Sequence, residues 1–222
     1  MDVPSQPSAD SLDALLAHAR ALIGVELGEL AEQLGVPVPV GAVHTKGWPG
    51  QLIEHELGVE TGGMRGPDFS ALGIELKTVP VDERRVPRES TAVCQIDPIA
   101  IAGESWDTSY ARKKLERVLF VALETQPGQP VAERRVSEVR LWSPSRAEHE
   151  VLRADFELFV REYFRRGRAD AITGHLGRVL QVRPKGKNAD DRRDGYDELG
   201  RPTRVGKCGF YLRPAFVASL LR

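Results

Sequence analysis

The stretch Pro67–Pro80, with the sequence PDFSALGIELKTVP, limits the choice of fold more than any other part of the chain. Its segment 73–77 alternates apolar and polar residues, which is the period of a half-buried β-strand. On such a strand Glu75 and Lys77 point to one face, and the apolar residues before and between them point to the other. The sequence therefore predicts a strand that buries one face in a core and carries a carboxylate and an ammonium on the opposite face.

A second carboxylate precedes this strand. Asp68 follows the turn-forming pair Gly66-Pro67, so we expect the chain to fold back and bring Asp68 beside Glu75. Two carboxylates facing one point make an oxygen site suited to Mg²⁺, which binds proteins through one or two carboxylates together with substrate phosphate. Lys77 beside them can orient a water molecule and offset negative charge on a phosphorus atom. The pattern is typical of a metal-dependent phosphodiesterase.

A plainer interpretation of the same residues stays open. Charged residues make up 28% of the chain, so an Asp, a Glu and a Lys at these spacings also arise by chance. In that case the strand face is solvated, and Glu75 and Lys77 form a surface ion pair of little energetic value.

The charge distribution points to a polyanionic partner more than the net charge of −1 does. The segment Arg161–Arg222 contains 15 Lys and Arg against 7 Asp and Glu, a net charge of +8, which leaves −9 for the remainder. A basic third beside an acidic remainder suggests a surface that faces a polyanion. The alternative is that many of these arginines are simply solvated.

Cysteine usage and hydropathy give expectations about the compartment. Cys94 and Cys208 fit neither a zinc-binding spacing nor a disulfide framework, which favours a reduced, cytoplasmic protein. We expect residues 1–9 to be a disordered lead without the features of a signal peptide. No apolar run approaches the roughly 18 residues of a membrane span, so we expect no association with a membrane.

The order of predicted elements indicates an α/β fold. The predicted helices cover 12–23, 27–34, 49–57, 106–117, 147–166 and 214–221, and the predicted strands cover 73–77, 91–96, 118–123, 139–142, 180–182 and 210–212. The apolar run 118–123 is typical of a strand buried on both faces. The polar, Gly-rich segment Gly186–Cys208 is predicted to be a long mobile loop. A chain of 222 residues with 41% hydrophobic residues suffices for one large domain, or for two lobes around a cleft.

Several motifs, in this order and spacing, resemble the MutH family of DNA mismatch-repair endonucleases over nearly the whole chain. They are Lys46-Gly47-Trp48, Leu52-Ile53-Glu54, Asp68-Phe69, ALGIELKTVPV, Trp106-Asp107-Thr108-Ser109, RRVSEVRLWSP, LQVRPK and GFYL. The resemblance implies a restriction-endonuclease-like fold, with a central mixed sheet flanked by helices. It implies a single domain over 10–222, with a catalytic lobe at about 10–125 and a basic DNA-reading lobe at about 126–222 around a DNA-binding cleft.

The resemblance also implies an activity and a catalytic set. The activity is Mg²⁺-dependent nicking of the unmethylated strand at hemimethylated GATC sites in double-stranded DNA, by a monomer that the repair protein MutL activates. The catalytic residues fall on Glu54, Asp68, Glu75 and Lys77, with the three carboxylates as metal ligands. Without the resemblance, Glu54 reads as an ordinary exposed glutamate on a helix.

The DNA-contacting residues implied by the resemblance lie mostly in the C-terminal third. They are the base-reading residues Arg183, Pro184 and Lys185, the methylation-sensing Tyr211, and the basic residues Lys46 and Lys114. Without the resemblance, Tyr211 reads as a core tyrosine between two apolar neighbours. The weak match over Gly186–Cys208, and Pro49 where the family has an aliphatic residue, leave the individual DNA contacts open.

Three other functions compete with a mismatch-repair nickase. A GATC restriction endonuclease of the same fold would act without MutL, but such enzymes cut both strands and this chain carries only one copy of the motif. A non-catalytic DNA-binding module is disfavoured because all four catalytic positions carry competent residue types. A two-carboxylate glycosidase leaves Lys77 and the basic third without a role.

Overall fold

The computed structural model describes residues 11–41, 45–59 and 66–222. The disordered lead predicted for residues 1–9 lies outside these residues. The chain divides into two compact units, and it passes between them more than once. The first unit comprises the chain up to Glu89, Arg117–Trp142 and Ala218–Arg222, and the second comprises Ser90–Glu116 and Ser143–Val217. The assignment of a catalytic and a DNA-reading lobe around a cleft stays a prediction.

The first unit is built on a three-stranded mixed sheet. Its strands are β1 (Glu75–Val81), β3 (Val118–Glu124) and β4 (Arg135–Trp142), with β3 in the centre. β3 runs parallel to β1 and antiparallel to β4. Every residue from 118 to 123 is buried, as the continuous apolar run predicts.

Three helices form the core of the first unit together with one face of this sheet. They are α1 (Leu12–Ala21), α2 (Leu27–Leu34) and α3 (Trp48–Glu56). Ser11 caps α1 by accepting a hydrogen bond from the backbone N–H of Ala14. The apolar stripes of the helices meet Leu76 of β1 and the inward residues of β3 in one cluster. β1 thus has one face fixed in the core, and this fixes the direction of its other face.

The second unit contains an antiparallel sheet in which β8 (Cys208–Leu212) lies between β2 (Thr91–Gln95) and β5 (Leu180–Pro184). Its helices are α4 (Tyr110–Leu115), α5 (Arg146–Phe159) and α6 (Pro214–Leu220), of which the last continues into the first unit. α5 buries Phe156 and Phe159, whose ring centroids lie 5.5 and 6.1 Å from that of Phe210 on β8. This aromatic contact joins the helix to the central strand of the sheet.

The prediction of a long loop over Gly186–Cys208 is wrong. The segment forms an antiparallel hairpin of β6 (Arg192–Tyr196) and β7 (Pro202–Gly206). The turn is organised by Asp197, whose carboxylate accepts the backbone N–H groups of Leu199 and Arg201 at 2.9 and 2.8 Å. These hydrogen bonds, with that from the Arg201 guanidinium, lower the pKa of Asp197. The turn and the ion pairs stabilise these two strands, which lack apolar alternation. The sequence therefore carried no periodic signal that would have predicted them.

Two further expectations concern hydropathy and cysteines. In the part of the chain that the structure describes, no helix has the length and apolarity to cross a membrane. Cys94 and Cys208 are both free thiols. Burial raises the pKa of Cys208 to about 11, so it stays protonated at neutral pH.

A buried carboxylate on α5 anchors the chain at the start of β5. Asp155 is only 4% exposed. Its oxygens accept the backbone N–H groups of Arg178, Val179 and Leu180 at 2.7–2.9 Å. Charged acceptors make the stronger hydrogen bonds, and three consecutive donors oriented on one carboxylate compensate its burial. Asp155 therefore fixes where β5 begins.

We expect Asp155→Asn to lower the free energy of unfolding by about 3 kcal/mol, because the variant loses the charge and presents an amide donor to N–H groups. Urea denaturation measures this change. Glu150→Gln on the same helix is the matched control, since Glu150 is 68% exposed in its ion pair with Arg146 and should change stability by less than about 0.5 kcal/mol. Equal effects of the two variants would contradict the anchoring role.

Candidate active site and DNA-contacting residues

A tight turn brings Asp68 back to the beginning of β1. Phe69 and Ile74 exchange backbone hydrogen bonds of 2.8 and 3.2 Å across the short 3₁₀ turn Ser70–Leu72. As a result Asp68 Oδ2 accepts the backbone N–H of Leu76 at 2.8 Å. The fold-back that the sequence predicts for Asp68 is present, and the bond to Leu76 fixes the direction of its second carboxylate oxygen.

Glu75 and Lys77 lie on the same face of β1 and are joined directly. Lys77 Nζ donates to Glu75 Oε1 at 2.5 Å. Glu75 is only 2% exposed, which excludes the solvated surface pair considered above. A buried carboxylate is costly unless it is paired, so the ammonium of Lys77 offsets the cost of placing Glu75 here.

Glu54 on α3 lies beside β1. Gly50 lies one helical turn before Glu54 on α3. From the point where a Cβ of residue 50 would lie, Glu54 Oε1 is 3.9 Å away and Thr78 Oγ1 of β1 is 3.4 Å away, so the carboxylate of Glu54 and the side chain of Thr78 lie close to the same point. Glu54 is half-buried. The description as an ordinary exposed helix glutamate is therefore wrong, and Asp68, Glu75, Lys77 and Glu54 all belong to the first unit.

The fit of these side chains to a metal ion depends on which metal is considered. Within residues 11–41, 45–59 and 66–222, no group of three or more His, Cys, Asp or Glu side chains is arranged to hold a metal ion. Mg²⁺ seldom needs such a cage, since it keeps waters and takes one or two carboxylates plus phosphate oxygens. Asp68 and Glu75 are two carboxylates near the start of β1, so their residue types suit such an ion, and their role as its ligands stays a prediction.

The predicted base-reading residues stand at the end of β5. Arg183, Pro184 and Lys185 are all exposed. Within the sheet, Arg183 lies opposite Gly209 and Pro184 opposite Cys208 on the neighbouring strand β8. They belong to the second unit.

Tyr211 faces away from the aromatic core. Its neighbours Phe210 and Leu212 are each 1% exposed, whereas Tyr211 is half-buried on the opposite face of β8. Lys185 Nζ lies 6.0 Å from the centroid of the Tyr211 ring, within the range of a cation–π contact. The alternation that the sequence predicts for this strand is confirmed, and the description of Tyr211 as a core side chain is wrong.

The remaining predicted basic residues lie in different units. Lys46 is exposed in the first unit and precedes Gly47, whose φ of 87° begins α3. Lys114 is on α4 in the second unit, with Nζ 5.6 Å from the ring centroid of Tyr110.

Gln181 and Ser90 are two polar residues near Tyr211 that the sequence analysis did not single out. Gln181 lies directly opposite Tyr211 on β5 and is 2% exposed. Its Nε2 donates to Ser90 Oγ at 2.7 Å, and Arg183 Nη1 donates to the same oxygen at 3.3 Å. The alternation of β5 puts Gln181 and Arg183 on one face, and that was the available signal.

Comparison with known proteins identifies the family. The family described as "DNA mismatch repair enzyme MutH" matches residues 57–155, which include Asp68, Glu75 and Lys77. The DNA mismatch repair protein MutH of Haemophilus ducreyi is 40% identical over 222 residues, covering 100% of this chain and 97% of the relative. The chain belongs to the MutH family. The MutH proteins of Salmonella paratyphi A and Vibrio parahaemolyticus are 42% and 38% identical, over 99% and 97% of this chain and 94% and 95% of those relatives.

Family membership confirms part of what the sequence predicts. The fold is the mixed α/β, restriction-endonuclease-like fold, with open sheets and flanking helices. The chain is a DNA mismatch-repair endonuclease, and so a phosphodiester hydrolase that binds DNA. Membership of this nuclease family also implies dependence on a divalent metal ion. The roles of individual residues stay predictions.

Proposed function

We propose that this endonuclease nicks the unmethylated strand at hemimethylated GATC sites, that it uses Mg²⁺, and that MutL activates it. The observation that carries the chemistry is the arrangement at the start of β1, where a buried glutamate is paired with a lysine and an aspartate folds back beside them. This arrangement, in a family of mismatch-repair enzymes, supports hydrolysis of a DNA phosphodiester. GATC recognition, strand choice and MutL activation rest on the sequence resemblance.

Each active-site residue is given a role that follows from its contacts. Asp68 and Glu75 would hold the Mg²⁺, with Glu54 helping directly or through a water molecule. When bound, the ion supplies stabilisation of negative charge on the scissile phosphate. Lys77, held by its hydrogen bond to Glu75, orients or helps to deprotonate the attacking water and stabilises the pentacovalent phosphorus.

The charge pattern of the second unit supports DNA reading by the end of β5. Ion pairs with acidic side chains engage several basic residues of the C-terminal third, namely Arg161, Arg166, Arg192, Arg193, Arg201, Arg204 and Lys207. Arg183 and Lys185 take part in none of the ion pairs between described residues, and both are exposed. They are therefore available for DNA, with Lys46 and Lys114 as further contacts to phosphate.

Tyr211 is the proposed sensor of methylation. The methyl group is on adenine N6, which lies in the major groove, so its sensor must approach that amino group. Tyr211 presents a rigid ring and one hydroxyl on the face of β8 opposite the aromatic core. Arg183 has the separate task of donating to guanine O6 and N7 or to a phosphate.

We expect Tyr211→Ser to nick both strands of hemimethylated DNA at similar rates while it still prefers GATC. Cleavage of unmethylated, hemimethylated and fully methylated duplexes measures this. Tyr196→Ser is the matched control, because Tyr196 is 44% exposed in the hairpin and should keep wild-type strand choice. Wild-type strand choice by Tyr211→Ser would assign methyl reading to another residue.

Arg183→Ala should instead weaken cutting at GATC itself by about 1–3 kcal/mol if its contact is bidentate to a base.

Incubation of the protein with supercoiled plasmid and Mg²⁺, with and without MutL, tests the proposed function. A mismatch-repair nickase opens the plasmid by one strand break at GATC, weakly alone and strongly with MutL. A self-sufficient restriction enzyme makes double-strand breaks whether or not MutL is present, and that outcome would replace the proposal.

We further propose that the enzyme acts as a cytoplasmic monomer, in keeping with the single copy of the motif and with a DNA substrate.

A further inference from the structure

The hydroxyl of Ser90 connects two side chains from the opposite edge of the β2–β8–β5 sheet. Ser90 immediately precedes β2, while Gln181 and Arg183 belong to β5. Both side chains reach across the central strand β8 and donate to Ser90 Oγ, at 2.7 Å from Gln181 Nε2 and 3.3 Å from Arg183 Nη1. One hydroxyl thus accepts from an amide and a guanidinium on the same face as Tyr211.

Gln181 fixes the position of that hydroxyl. With 2% exposure on the polar face of the sheet, its amide must find partners within the protein. The short bond to Ser90 supplies one, and losing it would leave a buried donor unsatisfied. Because Gln181 is packed and Ser90 has a short side chain, the pair forms a rigid point on this face.

Arg183 is the mobile member of the group. Its side chain is long and exposed, so ordering it on DNA carries a cost in conformational entropy. A hydrogen bond from one Nη to Ser90 restricts the guanidinium before DNA arrives. Arginine has five N–H donors, so those left over still suffice for a bidentate contact with a guanine edge.

We infer that Ser90 is a positioning residue that pre-orients Arg183 for reading guanine, and that Gln181 is the buried anchor of Ser90. This inference rests on the proposed function, because it assigns Arg183 to the DNA. Sequence specificity then depends on a hydroxyl and an amide that need not touch a base themselves.

The first test compares Ser90→Ala with Ser90→Thr, which keeps the hydroxyl. Ser90→Ala should lower single-turnover nicking at GATC by about 5- to 10-fold, the expected effect of losing one typical intramolecular hydrogen bond. Nicking at a site with the guanine replaced should change little, so the specificity ratio falls by the same factor. Ser90→Thr should restore it. Ser143→Ala, at an exposed serine of the same unit, should behave like the wild type.

The second test is a double-mutant cycle with Arg183→Ala. If Ser90 acts through Arg183, Ser90→Ala has no further effect on specificity once the arginine is gone. Additive losses in the cycle, or an unchanged specificity ratio in Ser90→Ala, would overturn the inference.

The third test separates this inference from the proposed function. ¹⁵N relaxation of the Arg183 Nε–H group in the DNA-free protein reports motion of the guanidinium on the picosecond-to-nanosecond scale. Ser90→Ala should lower its order parameter relative to the wild type and Ser143→Ala. If the wild type shows no preference for GATC, the proposed function fails, while the relaxation data still decide whether Ser90 restrains Arg183. An unchanged order parameter of Arg183 in Ser90→Ala would contradict the positioning role of Ser90.

Discussion

Asp68→Ala should abolish nicking, with a loss of about 10³-fold or more in single-turnover rate. A metal ion contributes several kcal/mol of charge stabilisation in a transition state, and each 1.36 kcal/mol corresponds to a factor of ten. In the proposed site Asp68 is one of the two carboxylates that hold the ion, and the hydrogen bond from Leu76 fixes its orientation. DNA binding without metal should persist, because the variant removes a negative charge that faces phosphate. Gel-based cleavage and fluorescence anisotropy measure the two properties separately.

Asp68→Asn distinguishes a metal ligand from a structural residue. The asparagine side chain keeps a carbonyl oxygen that can accept the N–H of Leu76 at 2.8 Å, so the turn before β1 should form and the melting temperature should stay near the wild-type value. The variant loses the negative charge, so its activity should be as low as that of Asp68→Ala. Near-wild-type nicking by Asp68→Asn would show that Asp68 serves only to close the turn.

The sequence predicts the local geometry of this site better than its environment. Alternation over 73–77 correctly puts Glu75 and Lys77 on one face, because the period of a strand is a local property. It does not reveal that the glutamate is 2% exposed, since burial depends on which elements cover the strand. Glu54 shows the same limit, because its approach to β1 depends on the packing of α3.

Pairing between distant strands was beyond sequence reasoning. β1 and β3 are parallel neighbours, yet the chain between them builds part of the second unit. Such a connection follows from the whole topology and leaves no periodic signal. The prediction of a loop over residues 186–208 failed for another reason. The hairpin in this segment is stabilised by ion pairs and backbone contacts of Arg192, Asp194 and Arg204, and it lacks the apolar alternation by which a strand is recognised in a sequence.

The burial and the hydrogen-bond partners of isolated polar residues could not be predicted from the sequence either. Asp155 and Gln181 are single letters in unremarkable contexts, but both are buried and hydrogen-bonded. Asp155 holds the start of β5 and Gln181 lies on this strand, at whose end the predicted base-reading residues stand. Only the tertiary structure reveals these contacts, because the hydrogen-bond partners lie far away along the chain.

Lys77→Ala should lower the single-turnover rate by about 10²–10³-fold at saturating metal, if the lysine has its proposed role as an electrostatic stabiliser of the transition state. Its hydrogen bond to Glu75 raises a competing interpretation, in which the lysine only neutralises a buried carboxylate. Removal of one partner of a buried pair destabilises a protein, so a fall in stability must be separated from a fall in rate. Thermal unfolding and cleavage are therefore measured on the same preparations, well below the melting temperature.

Lys77→Met and Lys77→Arg separate the two roles. Methionine approximates the aliphatic stem of lysine without its charge, so it should share the loss of rate and of the ion pair. Arginine keeps the charge and can still pair with Glu75, but its planar guanidinium cannot take the place of a compact ammonium beside a water molecule. If Lys77 acts on the reaction, Lys77→Arg recovers stability and not rate. If Lys77 is purely structural, Lys77→Arg recovers both the rate and the stability. In that case Lys77→Ala lowers the affinity for the metal and leaves turnover at saturating metal unchanged.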